Sequence, residues 1–253
     1  EVLAGQLLGY QLLIVLVTAV LIAIVVRAMP MSNKDRAAVY LAALLGNTVY
    51  LGIPLVSSAL PGVVTTDVTS LTTAFGVVQL VASLLVGLVG IEYVFLGTRD
   101  IRFVTKHLII NPLTLSILAG FVLAFLGWPQ WIDRSIGLPL KMLAGTASPL
   151  ALFALGSFLY GHKINRKQSR LGLAVCLKLI VAPLIAWAIM VAVQIFSTER
   201  NITVLMMSMP TAVTAFVLAD TYELDTTFVA SVMMVSTILS VVAVPVIASL
   251  LLL

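Results

Sequence analysis

The sequence is poor in charged residues. Only 9% of its 253 residues are Asp, Glu, Lys or Arg, whereas 61% are hydrophobic and the mean hydropathy is +1.18. A soluble domain carries about 25% charged residues, so this composition indicates an integral membrane protein with several spans. The net charge of +4 does not indicate nucleic-acid binding, because the basic residues lie in short connections between apolar runs.

Residues that carry chemistry are also scarce. The single cysteine, Cys176, lies inside an apolar run, which excludes an internal disulfide and a cysteine-based metal site. The two histidines, His107 and His162, lie at the edges of apolar runs. No pair of carboxylates occurs within the apolar segments. We therefore expect neither an enzyme nor a resident metal or cofactor.

Long apolar runs make up most of the chain. We predict eight membrane helices, each near the roughly 20 residues that cross a bilayer. They cover residues 6–27, 36–60, 69–96, 103–127, 136–160, 171–196, 202–219 and 226–252. The fold class is accordingly an all-α polytopic membrane protein.

Two of these segments are interrupted. The segment 36–60 contains GNTVYLGIP at residues 46–54, and the segment 202–219 contains MPTAVT at residues 209–214. A helix broken within the bilayer leaves backbone groups unpaired, which hydrocarbon cannot satisfy, so such a break must be buried in protein or line a cavity. In transporters, paired breaks of this kind hold the substrate and coupling ions.

The basic residues predict the orientation. Ten lie in the connections that we place in the cytoplasm: Arg27, Lys34, Arg36, Arg99, Arg102, Lys106, Lys163, Arg166, Lys167 and Arg170. Three lie in the alternate connections, namely Arg134, Lys141 and Arg200. Both ends of the chain are then expected on the outer side of a plasma or inner membrane. The connection 220–225 is purely acidic, but acidic residues count little in this rule.

This orientation predicts an inverted repeat. Each interrupted segment lies between two long apolar helices, and the two sets of three run in opposite directions. The second set has two further helices before it, whereas the first set has none. If each repeat has five helices, two helices are missing upstream of Glu1. We divide the chain into residues 1–97, the rest of the first repeat, and residues 98–253, the second repeat.

The motifs resemble those of the auxin efflux carrier family. GNTVYLGIPL at residues 46–55 is similar to its first crossover, and MPTA at 209–212 with FVLADTY at 216–222 is similar to its second. NPLT at 111–114, SPLALFALG at 148–156 and Lys178 also fit the family, in the right order. The resemblance implies ten helices in two inverted repeats, similar to bile-acid sodium symporters and sodium/proton antiporters. It further implies transport of auxin, malate, malonate or similar organic acids, and a homodimer is an expectation at the level of the family.

The first break carries the main candidates for substrate binding. Asn47 and Thr48 would hold a carboxylate together with the amides of a half-helix N-terminus, which favours anions. The alternative is that both residues only cap the half-helix. Gly52 permits close approach of the backbone, and Pro54 is tolerated at the start of the following half-helix.

Further candidates lie at the second break and in the neighbouring spans. Met209, Pro210, Thr211 and Thr214 form the second break, where the two threonines offer hydroxyls. Three other candidates are polar residues within or at the start of a span, namely Gln79, Asn111 and Lys178.

Each of these three has an alternative structural role. Gln79 lines the cavity or bridges two helices. Asn111 precedes Pro112, which favours a helix cap. Lys178 is a counter-charge for the substrate or for broken-helix carbonyls, or its ammonium group snorkels to the interface.

We expect a secondary carrier that moves a small organic anion by alternating access. The alternative is a channel that uses the broken helices to line a pore. The expected partners are the organic anion and the lipid bilayer, and no nucleic acid. The coupling ion, sodium or proton, is not readable from the sequence.

Overall fold

The computed structural model describes residues 2–59, 66–97, 133–160, 168–195 and 198–252, with short pieces between residues 115 and 127. These residues are helical apart from short connections. Most of the predicted span 103–127, including Asn111, lies outside them. Ten α-helices are named here: α1 Val2–Ala28, α2 Asn33–Leu44, α3 Ile53–Ala59, α4 Thr66–Val89, α5 Leu138–Leu159, α6 Gln168–Cys176, α7 Ala182–Ala192, α8 Thr198–Met207, α9 Val213–Thr221 and α10 Thr226–Leu252.

Four helical stretches in the described residues are long and apolar enough to cross a membrane. They are Gly9–Ala28, Ser70–Leu96, Ser169–Ala192 and Thr226–Leu251. This supports a polytopic membrane protein. The number of eight spans stays a prediction.

Short π-helical segments widen several of the helices. Thr48–Gly52 leads into α3, Gly90–Leu96 extends α4, and Leu177–Val181 joins α6 to α7. Two of them precede a proline, Pro54 in α3 and Pro183 in α7. A proline ring clashes with the carbonyl four residues earlier and supplies no N–H donor, so a wider turn before it relieves both problems.

Helix α2 lies at the centre of the larger apolar core. Ser32 caps its N-terminus by accepting a hydrogen bond from the Asp35 amide at 3.1 Å. Every residue from position 37 to position 44 is buried, and four of the eight are alanine. Helices α1, α6, α9 and α10 and the extension of α4 pack around it. Small side chains allow this close approach, as is usual for helix pairs in membranes.

Helix α8 is the second helix that is deeply buried in the core. Its residues 202–207 are all buried, and they contribute to two apolar clusters. Helices α3, α4, α7 and α10 contact it, and Gln11 of α1 donates a hydrogen bond to Thr203. Helices α2 and α8 therefore both end in the interior of the protein, where a helix end needs polar partners.

Gly90 is required by a close helix contact. A Cβ atom added at this position would lie 2.5 Å from Tyr40 Oη and 2.6 Å from the Tyr40 ring. Tyr40 in turn donates a hydrogen bond to the Val86 carbonyl at 3.1 Å and stacks at a tilt on Phe95. The ring is thus fixed on both sides and cannot move away easily.

We predict that Gly90→Ala destabilises the folded protein by about 1–3 kcal/mol, since the added methyl group overpacks a fixed ring. Thermal unfolding in detergent measures this. Gly87→Ala is the matched control, because its Cβ would meet only two leucine side chains at 3.7 Å. A Gly90→Ala protein as stable as Gly87→Ala would contradict the packing described here.

Candidate functional site

The two helix breaks cross each other and pair through their backbones. Gly46 and Thr211 lie opposite each other in an antiparallel bridge. The Asn47 amide donates to the Pro210 carbonyl at 2.8 Å, and the Ala212 amide donates to the Leu45 carbonyl at 3.0 Å. Each break therefore supplies the partners that the other lacks, which is how a non-helical segment is accommodated away from water.

Side chains complete the pairing at the crossing. The Thr211 hydroxyl donates to the Ala42 carbonyl at 2.7 Å, at the end of α2, and the Thr211 amide donates to Ser236 Oγ at 3.2 Å. The Thr48 hydroxyl donates to the Gly76 carbonyl on α4 at 3.1 Å. Ser236 was not predicted, since it is one of four serines in the apolar helix α10 and no local pattern distinguishes it from the others.

Two helix N-termini converge on a small pocket beside the crossing. The π-helix that leads into α3 begins at Thr48, and α9 begins at Val213. The pocket is lined by residues 46–50, Leu80 and residues 212–214. It has a volume of about 20 Å³, room for about one water molecule. The partial positive charges of both N-termini act on the same space.

Asn47 is a polar residue in the lining of this pocket whose side-chain amide can contact a ligand. It is 5% exposed and precedes the π-helix, but it makes no capping hydrogen bond. Its backbone is engaged on both sides, through the Pro210 carbonyl and through the Gly52 amide, which donates to the Asn47 carbonyl at 3.0 Å. The backbone is therefore fixed, while the side-chain amide stays available for a ligand.

Lys178 lies under the first break and points inward. It is fully buried, and its Nζ lies 3.5 Å from the Leu44 carbonyl, the last residue of α2. A Cβ at Gly46 would lie 2.7 Å from this nitrogen, so the glycine makes room for the ammonium group. Of the roles considered for Lys178, the geometry fits a counter-charge for broken-helix carbonyls, since a cation is favoured at a helix C-terminus.

The other predicted site residues fall into two groups. Thr214 lines the pocket with Asn47 and Thr48, whereas Gly52, Pro54, Met209 and Gln79 do not. Gly52 packs against α8, where a Cβ would lie 2.8 Å from Met206 Sδ. Pro54 is exposed on α3, and Met209 is buried in an apolar cluster with Phe75.

Gln79 bridges two helices. It donates from Nε2 to Met207 Sδ at 2.8 Å, which joins α4 to the end of α8. This is one of the two roles expected for it from the sequence.

The sequence is similar to those of known membrane transport proteins. The sequence model of a family described as "Membrane transport protein" matches residues 97–248. The chain is 32% identical to an uncharacterized transporter of Methanothermobacter thermautotrophicus over 142 residues, which are 56% of this chain and 46% of that protein.

Two further relatives have more specific names. A provisionally named malonate transporter of Rhizobium meliloti is 29% identical over 144 residues, 56% of this chain and 44% of that protein. Auxin efflux carrier component 8 of Arabidopsis thaliana is 30% identical over 127 residues, 47% of this chain and 34% of that protein. The chain thus aligns with less than half the length of these curated relatives.

We predict that Thr211→Val lowers the free energy of unfolding by about 1 kcal/mol, because the Ala42 carbonyl at the end of α2 loses its buried partner. Thermal unfolding of the purified protein measures the change. Thr221→Val is the control, since the exposed Thr221 hydroxyl only bonds the Val217 carbonyl of its own helix. Equal effects of the two substitutions would show that the crossing does not depend on this hydroxyl.

Proposed function

The chain belongs to the membrane transport protein family, and from this premise we propose that it is a secondary carrier for a small organic anion. The resemblance to auxin efflux carriers seen in the sequence is confirmed by the family match and by the relatives. The substrate and the alternating-access mechanism are parts of the proposal.

The convergence of two helix N-termini at one pocket is the observation that carries the proposal. Each N-terminus has roughly half a positive elementary charge and several backbone N–H groups without helical acceptors. The two half-helices start at Thr48 and Val213, and both line the same pocket. Such a place favours a carboxylate over a cation or a neutral solute.

Asn47 adds a directional hydrogen bond to this field. Its amide can donate to one carboxylate oxygen while the helix N–H groups donate to the other. Thr214 also lines the pocket, and its hydroxyl would be a second donor. The Thr48 hydroxyl already donates to the Gly76 carbonyl, so this hydroxyl is not a donor to the proposed substrate in the conformation described. The role of Thr48 in the site is to begin the half-helix whose N-terminus faces the pocket.

The names of the relatives support the class of substrate. One relative is named for malonate and another for auxin efflux, and both of these compounds are organic acids. The proposed substrate is therefore a mono- or dicarboxylate, or an auxin-like acid.

The proposed transport cycle depends on widening the pocket. A volume of about 20 Å³ is too small for a dicarboxylate, so binding requires movement of one wall. Helix α5 contacts the π-helix Thr48–Gly52 at the edge of the pocket. We propose that α5 and its neighbours move as a rigid body against the crossing, which alternately opens the site to each side.

The repeat and orientation proposed from the sequence fit this cycle. The two hydrogen bonds at the crossing, 47 to 210 and 212 to 45, have the local two-fold symmetry of any antiparallel pair, which is compatible with an inverted repeat. The basic connections would face the cytoplasm, and both ends of the chain would face outward. A homodimer stays a proposal from the family resemblance.

We predict that Asn47→Ala lowers the ratio of maximal uptake rate to KM by about tenfold or more, since a hydrogen bond to a charged group contributes roughly 1.5–3 kcal/mol. Uptake of labelled malate, malonate and indole-acetate into proteoliposomes measures this, with sodium, proton and voltage gradients imposed separately. Asn47→Asp should abolish uptake, because a carboxylate then repels the anion.

Ser58→Ala is the control, because Ser58 is exposed on α3 and its hydroxyl bonds the Pro54 carbonyl of the same helix. Counterflow separates the carrier from the channel, since only a carrier exchanges labelled for unlabelled substrate against its gradient. Saturable counterflow that survives Asn47→Ala and Asn47→Asp would disprove the anion site, and flux without counterflow would disprove the carrier.

A further inference from the structure

The negative C-terminal ends of the two broken helices have different neighbours. Each half-helix that enters the crossing, α2 and α8, ends with carbonyls that carry about half a negative elementary charge. At α2 the buried ammonium of Lys178 lies 3.5 Å from the last carbonyl. At α8 the carbonyls of residues 204–206 accept hydrogen bonds from Ser208 and Met209, and the side-chain sulfur of the last residue, Met207, accepts one from the neutral amide of Gln79. One negative end therefore has a resident cation, and the other has only neutral donors among the described residues.

Gln79 is only half satisfied in this position. Its Nε2 donates to Met207 Sδ, whereas its carbonyl oxygen is buried without a hydrogen-bond partner among the described residues. The side chain is 1% exposed. A buried carbonyl oxygen without a donor costs about 1–3 kcal/mol, so the position indicates a partner that the chain does not supply.

Gln11 repeats the same arrangement one turn away. Its Nε2 donates to the Thr203 hydroxyl at 2.5 Å, and its carbonyl oxygen is also buried and unpaired among the described residues. Thr203 and Met207 are four residues apart on α8, on one face and separated by about 6 Å along the axis. The two free carbonyl oxygens thus belong to side chains anchored on adjacent turns of the same helix.

Two further buried hydroxyls, of Thr18 on α1 and Thr72 on α4, are also unpaired among the described residues. Each is seven residues, or about 10 Å along its helix, from the glutamine on the same helix, so neither belongs to the same coordination shell as the glutamine oxygens. Helices α1 and α4 pack against each other, and α4 packs against α8.

We propose that the carbonyl oxygens of Gln79 and Gln11 bind a monovalent metal cation, with sodium as the physiological ion. Gln79 and Gln11 would supply carbonyl ligands at the negative end of α8, where the ion would take the place that Lys178 fills at α2. Half-helix C-terminal ends and uncharged oxygens are the ligands that sodium uses in such carriers. Amide and hydroxyl groups do not titrate at physiological pH, so this site is not a proton site.

The ion would also favour the anion proposed above. Only residues 208–212 separate the end of α8 from the start of α9, so the cation and the substrate would occupy opposite sides of the same break. Each would raise the affinity for the other by the same factor. This coupling rests on the proposed function, whereas cation binding itself does not.

Thermal unfolding of the purified full-length protein tests the site without any substrate. Sodium chloride is titrated against choline chloride at constant ionic strength, with potassium chloride as a third series. At sodium concentrations about ten times Kd, we expect the Tm to rise by roughly 3–5 °C relative to choline. A rise with potassium as well still supports a metal-cation site, and equal Tm values in all three salts overturn it.

Three variants assign the effect to the described oxygens. Gln79→Met, a near-isostere, should remove the sodium response. Gln79→Lys should also remove the response, but the Tm of this variant should equal that of the sodium-bound wild-type protein. Ser57→Ala is the control, since the Ser57 hydroxyl is also buried and unpaired but lies on α3. A sodium response retained in Gln79→Met, or lost in Ser57→Ala, contradicts the assignment.

Uptake assays distinguish this proposal from the carrier itself. A protein with a sodium-dependent Tm but no organic-anion counterflow would keep the cation site and lose the proposed function. Sodium-independent uptake together with an unchanged Tm in sodium would keep the carrier and overturn the cation site. Sodium-driven uptake lost in Gln79→Met, with a normal response in Ser57→Ala, would support both.

Discussion

The demand that buried backbone groups be hydrogen-bonded governs this structure. In hydrocarbon an unpaired N–H or C=O costs several kcal/mol, and each broken helix exposes such groups at its interruption. Neither break could exist alone. Their antiparallel pairing at Gly46 and Thr211 makes both possible, and the small residues of α2 and the close contact at Gly90 let the surrounding helices enclose the crossing.

The same pairing places the positive and the negative ends of the half-helices in different surroundings. Two positive N-termini line the pocket that contains Asn47, whereas the negative C-termini of α2 and α8 do not line it. Lys178 balances one of the negative ends, where Gly46 leaves space for its ammonium group. The arrangement explains how a chain with so few charged residues can create a strong local field inside an apolar core.

The sequence predicts the elements better than their contacts. The breaks at 46–54 and 209–214 and the helix 226–252 follow from Gly, Pro and apolar runs, and the structure has helix boundaries close to them. The direction of Lys178 could not be decided from sequence, because it depends on space beneath a glycine in another helix. The pairing of Thr211 with Ser236, and of Gln11 with Thr203, depends on packing between distant helices and leaves no local pattern.

The crossing also has a consequence for biogenesis. The hydrogen bond from Thr211 to Ala42 joins residues 169 positions apart, so the first break stays unpaired until residue 211 has been synthesised. Until then, the unpaired backbone groups at the end of α2 need contact with water, the translocation machinery or a chaperone, because lipid cannot satisfy them. A chain truncated before the second break should be a substrate for membrane quality control, because its first break stays unpaired even though the helices that it retains are apolar.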